Sequence, residues 1–315
     1  MISTALTLRA FHDLFPDEDA ARAWFERARW PDGPICPVCG CVNHACWLRT
    51  IRRWQCTACY RQFSVTAGTP MHRTHLPMLT WAQAIYQIVT SSKGISAVKL
   101  SEILGVSYQT AWYLRHRIRA MMAEDSPLLS NLAEIDKTHA EATPRKRAKP
   151  ERADDDCDPP PPNPEGRGTK RPLLLVAAER GGEVATKVIP THGKAPVAQA
   201  LDGVLSADAR AMTDGLPAYR HLGAERTHLS VNQSQREYAR TDSATRHRVE
   251  SFNGFLGRAV VGVFHFVSPK HLGRYAGEAA FRWNRKADAC RERMAMLVRG
   301  GVGRTLPYRF LTGTA

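Results

Sequence analysis

Long apolar runs are what this 315-residue sequence lacks most clearly. The longest uninterrupted one spans only Leu173 to Ala178, whereas a helix needs roughly 20 apolar residues to cross a bilayer. A membrane span is excluded on that ground. The opening MISTALTLRAFHDLFPDEDA also lacks the charged-then-apolar order of a secretion signal, so a soluble, cytoplasmic (nucleoid-associated) protein is expected. No solenoid-like repeat is present. Acidic residues are scarce too: 30 Asp and Glu stand against 44 Lys and Arg, a formal charge of +14. An excess of this size spread along the chain makes a polyanion the natural partner and disfavours basic ligands. The length suggests about two folded units with a small module added.

Disulfide-type cysteine usage is missing as well. Of eight cysteines, six lie between Cys36 and Cys59, and clustered pairs in a leaderless protein bind metal more often than they oxidise. Cys36-Pro-Val-Cys39 and Cys56-Thr-Ala-Cys59 are two C-x2-C knuckles separated by 16 residues. That spacing lets four thiolates surround one tetrahedral zinc, and with four protein ligands no position remains for catalysis. Cys41, His44 and Cys46 are further potential ligands, but the doubled knuckle favours the four cysteines. Arg49, Arg52, Arg53 and Arg61 around the second knuckle form either a phosphate-facing basic surface or an ordinary solvated one. Cys157 and Cys290 lack partners and read as free thiols.

Helical periodicity appears at Asp17 to Arg29, with Ala20, Ala21, Trp24 and Phe25 on one face, and again from about Leu79 to Glu124. In the second region Ala97 to Leu104 reads as a short helix, Gly105-Val106-Ser107 as a turn, and Tyr108 to Met122 as a second helix capped by Ser107. This is the helix-turn-helix layout, whose second helix enters the major groove. Gln109, Thr110 and Tyr113 are the candidate base or phosphate contacts, and Arg115, Arg117 and Arg119 the candidates to hold the DNA backbone. Trp112, Leu114 and Ile118 read as core. His72, His75, Trp81 and Tyr86 read as packing or linker residues, and Tyr275, Phe281 and Trp283 as a packing stripe.

After residue 130 the pattern changes to short strands. Leu132 to Asp136 reads as a strand ending in a carboxylate. Arg145 to Pro164 reads as a mobile surface loop, with a basic block, an acidic block and a proline run. Arg171 to Glu179 and Glu183 to Ile189 read as a hairpin across Gly181-Gly182. Ala195 to Leu205 has helical spacing, Ala209 to Asp214 reads as a strand, Thr227 to Val231 as a fifth strand, and Ser243 to Val261 as a helix carrying Glu250. This order of elements is the one expected of a ribonuclease H-like fold. Phosphoryl transfer on DNA needs hard oxygen ligands holding two divalent cations roughly 4 Å apart. Asp136, Asp214 and Glu250 are the candidates, and 35 residues separate the last two, the spacing associated with DDE transposases and integrases.

Several stretches carry a family resemblance: RWPDGPICPVCG from Arg29, QFSVTAGTPMHRTHLP from Gln62, AWYLRHRIR in the second helix, GRGTK from Gly166, and above all VESFNGFLGRAVVGVFHFVSPKHLGRYAGEAAFRWNRK from Val249. The chain resembles the zinc-ribbon insertion-sequence transposases with an ISXO-like DDE domain. The resemblance implies that Asp136, Asp214 and Glu250 form a catalytic triad binding two magnesium ions, with manganese as substitute. It also implies that the VSPKHLGRY segment, with Lys270, belongs to the DNA-binding face. The sequence departs from the family in three places. Lys137 follows the first aspartate where the family has an acidic residue, Asn253 stands where an aromatic is usual, and Gly257 takes a usually basic position next to Arg258, which is positioned to substitute. Should the third residue differ, His247 or Asn253 is placed to share the metal face.

The expectation is therefore a multidomain protein: a small zinc ribbon plus an all-α helix-turn-helix, then an α/β ribonuclease H-like catalytic domain. The boundaries read as an N-terminal helical segment 1–30, zinc ribbon 31–76, helix-turn-helix region 77–128, catalytic domain 129–290 with a mobile loop 140–168, and a C-terminal tail 291–315. The expected activity is binding of terminal inverted repeats in double-stranded DNA followed by metal-dependent cleavage and strand transfer, carried out by a homo-oligomer on DNA. The alternatives are a DNA-binding regulator or an inactive copy, and a nuclease that cuts without joining.

Overall fold

The computed structural model describes residues 6–123, 128–139, 173–214, 219, 227–231 and 247–313. The loop expected at 140–168, the GRGTK run and Cys157 lie outside the described residues, as do the first residues of the strand expected from Arg171 and of the helix expected from Ser243. The chain divides into two units, Met1–Asp125 with Gly277–Ala315, and Ser126–Ala276.

In the first unit α1 (Leu8–Leu14) and α2 (Glu18–Arg29) start at side-chain caps, Thr7 and Asp17, which satisfy N–H groups the helix cannot. Ala21, Trp24 and Phe25 of α2 are buried, on the face the periodicity marks. A three-stranded antiparallel sheet follows, β1 (Ala45–Leu48), β2 (Arg53–Cys56) and β3 (Gln62–Phe63), in that order. It is fixed to α2 by the Trp54 indole, which donates to Glu26 at 3.1 Å, and by the edge contact of Phe63 with Trp30. Then come α3 (Met78–Thr90), α4 (Ala97–Leu104) and α5 (Tyr108–Met122). α3 starts at Pro77, which has no capping side chain. Its first N–H groups, those of Met78 and Leu79, donate instead to the Glu18 carboxylate at 2.8 and 2.9 Å. Gly105 ends α4 at φ +63°, a left-handed conformation that costs glycine nothing, and Ser107 accepts from the Thr110 N–H to open α5.

The second unit is built on a five-stranded sheet of β4 (Leu132–His139), β5 (Leu173–Glu179), β6 (Val184–Ile189), β7 (Arg210–Asp214) and β8 (His228–Val231), in the order β6-β5-β4-β7-β8. β4, β5 and β6 pair antiparallel, while β7 and β8 add on in parallel. β5 is buried almost throughout, as its continuous apolar sequence requires of a strand covered on both faces. Ala133, Ile135, Leu175 and Ala177 point toward α6 (Lys194–Asp202) and share a core with its Val197 and Leu201. Alternate residues, Glu134 and Asp136 among them, face the other way, toward α7 (His247–Ala259), which packs on β4 and β5. α7 runs on into a π turn, Val260–Phe264.

The described C-terminal residues form α8 (Leu272–Asn284), α9 (Cys290–Gly300) and α10 (Tyr308–Thr312). The sequence reading assigns 277–290 to the catalytic part and treats 291–315 as a tail. By packing, Gly277–Ala315 belongs with the first unit, where α9 lies on α2, α3 and α5. Tyr275 and Phe281 are buried, as the stripe predicts. Among the described residues no helix is long and apolar enough to cross a membrane.

A buried ionic group ties α5 to α8. Glu278 takes a hydrogen bond from Arg119 Nε at 2.6 Å and another from Arg282 at 2.7 Å. Burial alone would raise its carboxyl, but Arg119, Arg282 and Arg115 pull it down to about 2. Removing one partner of a buried pair strands the opposite charges, so Glu278→Ala should cost about 3–5 kcal/mol, read as a lower denaturant midpoint. Because folding depresses this carboxyl from 4.5 to about 2, its contribution is complete above pH 4.5 and drains away as pH falls toward 2. Acid unfolding of the variant should lack that segment of the pH dependence.

Candidate functional site

The two knuckles have the same local build. The Gly40 N–H donates to the Cys36 carbonyl and the Tyr60 N–H to the Cys56 carbonyl, both at 2.9 Å. Gly40 and Tyr60 both hold positive φ, +75° and +57°, so one turn shape is reached with and without glycine. These turns bring the Cys36, Cys39, Cys56 and Cys59 sulfurs within 4.8 Å of one another. Cys36 to Cys59 and Cys39 to Cys56 are each 3.6 Å apart, near the ~3.8 Å edge of a tetrahedron with zinc–sulfur bonds of about 2.3 Å. The Cys59 N–H, acting against burial, draws the Cys56 thiol down to about 7, while against the Arg61 N–H, burial and the neighbouring sulfurs hold the Cys59 thiol up at about 12. The donor set fits one structural zinc. Cys41, His44 and Cys46 are not in the cluster.

Of the residues expected to contact DNA from α5, Gln109 is exposed, while Thr110 and Tyr113 are half-buried. The C-terminal segment touches two of them: Gln109 Nε2 donates to the Tyr308 hydroxyl and the Tyr113 hydroxyl to the Leu306 carbonyl, both at 2.7 Å. Arg115 and Arg117 are placed differently from the expectation. Both are only 5% exposed, and Arg117 donates to the carbonyls of Pro70 and His72 and lies 5.0 Å over Trp81. Arg119 is committed to Glu278. From Leu114 to Arg119 every residue of α5 is buried, so the helix is packed all round here and these guanidiniums point into the protein whichever side of it they leave. Arg49, Arg52, Arg53 and Arg61 of the ribbon are all exposed, as are Arg258 and Lys270.

In the second unit the parallel register of β4 and β7 runs Leu132 with Arg210, Ala133 with Ala211 and Glu134 with Met212. Continued two residues along, it sets Asp136 level with Asp214, the last residue of β7. Adjacent strands lie about 4.8 Å apart and level residues of a parallel pair share a face, so these two half-buried carboxylates are neighbours. Lys137, next along β4, falls on the opposite face and lies 4.5 Å from the Tyr219 ring centroid. Glu250 stands exposed in the first turn of α7. Asn253, one turn on, donates from Nδ2 to Asp136 Oδ2 at 3.0 Å. Its Oδ1 is buried with no hydrogen-bond partner among the described residues. His247 begins the helix.

Sequence reasoning missed Glu134. It is 2% exposed and accepts from Arg180 Nε at 3.1 Å and from the Arg248 and Val249 N–H groups at 2.9 and 3.2 Å. The available signal was its alternation with Asp136, which puts both on one face of β4.

Chelation, or Cys56→Ser, should release one zinc per chain and unfold the β1–β3 sheet, because a ribbon this small depends on its metal. The checks are metal analysis of the purified protein and loss of the near-ultraviolet signal of Trp47 and Trp54, which pack together.

Residues 130–284 match the ISXO2-like transposase domain and residues 16–62 the transposase zinc-ribbon domain. No curated protein matches the sequence. A solved structure, that of the Mos1 strand transfer complex, aligns at 13% identity over 70% of this chain and 77% of that chain, with a TM-score of 0.20. A likeness that low carries no argument about fold or chemistry. The domain matches rest on the sequence itself and span both the ribbon and the mixed sheet: the chain belongs to the IS1595 transposase family, with that family's zinc ribbon followed by its ISXO2-like transposase domain.

Proposed function

We propose that the protein is a DDE transposase that binds the terminal inverted repeats of its element, cleaves the strand and joins the freed 3′ hydroxyl to target DNA. The observation that carries this reading is the parallel pairing of β4 with β7, Glu134 opposite Met212, which carried two residues on sets Asp136 level with Asp214, with Glu250 on a helix hydrogen-bonded to the same strand. The strand order β6-β5-β4-β7-β8 is the one a ribonuclease H-like domain uses to gather such carboxylates.

In this reading Asp136, Asp214 and Glu250 hold two magnesium ions, with manganese as substitute. When bound, the ions activate the attacking oxygen and stabilise the leaving one in an in-line displacement at phosphorus. The protein's part is positioning. The sheet fixes the two aspartates, and Glu250 is presented from the exposed side of the first turn of α7.

Recognition falls to the α4–α5 pair read as a helix-turn-helix, with Gln109, Thr110 and Tyr113 toward DNA and exposed Arg258 and Lys270 on the phosphates of the catalytic part. Arg115 and Arg117 drop out of the contact set because they are buried. Domain limits of 31–76 for the ribbon, 77–128 for the helix-turn-helix and 129–276 for catalysis, shortened from the expected 290 because Gly277 onward packs with the first unit, complete the proposal. The protein acts in the cytoplasm as a homo-oligomer, since two element ends must be held together.

Incubation of a labelled element end and target DNA with magnesium should yield joined products that Asp214→Asn and Asp136→Asn both abolish while binding is kept. Cutting without joining would indicate a nuclease, and binding without chemistry a regulator or inactive copy. Gln109→Ala should weaken binding to the element end by about 1–3 kcal/mol without altering non-specific binding, whereas Lys270→Ala should weaken both alike and lower the salt slope by about one unit. Competition binding at several salt concentrations measures all three quantities.

A further inference from the structure

The buried carboxylate of Glu134 and the amide of Asn253 fasten one helix to one strand at two points, and Glu250 lies between them. Glu134 sits on β4, two residues before Asp136 and on the same face. It accepts from the free N–H groups of Arg248 and Val249 at the start of α7, at 2.9 and 3.2 Å. A carboxylate satisfies such groups well, because the start of a helix carries orphan donors and a partial positive charge. The acceptor is 114 positions away in sequence from Arg248. Arg180, at the β5–β6 turn, compensates the buried charge from the other side at 3.1 Å. Arg248 also donates through its guanidinium to the Gly182 carbonyl, so the helix start is held to that turn as well. One turn beyond Glu250, Asn253 Nδ2 donates to Asp136 Oδ2 at 3.0 Å.

We propose that Glu134 and Asn253 are positioning residues for the acidic site, a two-point clamp that sets the distance and orientation of Glu250 relative to Asp136. The inference rests on the reading of Asp136, Asp214 and Glu250 as the metal-binding carboxylates. The physical case is that Asp136 is fixed by the sheet while Glu250 is an exposed side chain on a separate element. Without the clamp, the height of α7 along β4 would rest on its apolar contacts and on the bond from Arg248 to the Gly182 carbonyl, and apolar contacts do not define a register to a fraction of an ångström. Glu134 sets the start of the helix against the strand. Asn253 sets its rotation through the hydrogen bond to Asp136 Oδ2. Outer-shell hydrogen bonds of this kind orient ligating carboxylates, and their loss typically costs roughly 10–100-fold in metal affinity.

The test compares the full chain carrying Glu134→Ala, Glu134→Gln or Asn253→Ala with the wild type. Amide hydrogen exchange of the metal-free protein is read at residues 248–249, and Mn²⁺ binding by calorimetry. Glu134→Ala should deprotect the two amides, and Glu134→Gln, which keeps an acceptor oxygen, should restore much of that protection. Both Glu134→Ala and Asn253→Ala should weaken Mn²⁺ binding by about tenfold or more, with Asn253→Ala leaving the melting temperature and the 248–249 amides as in the wild type. Unchanged exchange in Glu134→Ala overturns the clamp. Wild-type Mn²⁺ affinity in both alanine variants overturns the positioning role even if the amides are deprotected. If Glu134→Ala fails to fold, Asn253→Ala decides alone. A wild type with protected amides that binds no Mn²⁺ refutes the metal-site reading, and the proposal falls with it for a reason distinct from a missing clamp.

Discussion

Parallel pairing of β4 with β7 is the constraint on which the second unit depends. A parallel pair cannot be closed by a tight turn, so the intervening chain must build β5, β6 and α6 before returning to the other side of β4. That return makes β4 the centre of the sheet, buries its faces between α6 and α7, and brings Asp136 level with Asp214. A shift of one residue in this register would carry one aspartate to the α6 face, where Ile135 and Ala211 pack. The apolar core on that face therefore protects the geometry of the acidic site on the other.

Carboxylates, buried in Glu134 and Glu278 and half-buried in Glu18 and Glu179, are used repeatedly to start or join elements across long sequence distances. Glu18 takes the first N–H groups of α3, Glu134 those of α7, and Glu278 joins α5 to α8 through two arginines. Glu179 does the same for a loop. Burial would raise its carboxyl, yet the Asn131 and Ser130 N–H groups hold it below its ordinary value. In a chain this basic, several of the scarce acidic residues are thus spent inside, opposite arginines or helix starts. Part of the positive charge is also internal, and Arg115, Arg117 and Arg119 show that net charge overstates the basic surface a polyanion can meet.

Much of the local structure was legible because short-range chemistry decides it. The spans of α4 and α5 follow from the cap at Ser107 and the left-handed Gly105, and the hairpin of β5 and β6 from Gly181-Gly182. The limits of β6, β7 and β8 fall within a residue of the expected ones, whereas β4 runs three residues past the expected end at Asp136, to His139, because Lys137, Thr138 and His139 continue the antiparallel ladder with Leu175, Leu174 and Leu173. The zinc cluster was legible because each knuckle is a local turn and one spacing joins the two. Less legible was the burial of the α5 arginines, since from Leu114 to Arg119 the helix is packed on every side. Arginine carries a long apolar stem, and a basic stripe looks the same in sequence whether it meets phosphates or a buried Glu278. The role of the C-terminal residues was hidden for a similar reason, since nothing local in α9 announces that it packs on α2, α3 and α5.

By itself the sequence determined the four-cysteine donor set, the helix and strand periods, the candidate carboxylates Asp136, Asp214 and Glu250, and the family. Each is written in residue type and short spacing. Only the tertiary structure decided which residues share a face and which donors find which acceptors. It made Asp136 and Asp214 neighbours, turned Lys137 away from them, gave Asn253 to Asp136, and put Glu134 at the start of α7. The physical reason is that a hydrogen bond between residues 114 positions apart leaves no periodic trace along the chain. Its partners are chosen by the strand register and helix packing that bring them within reach.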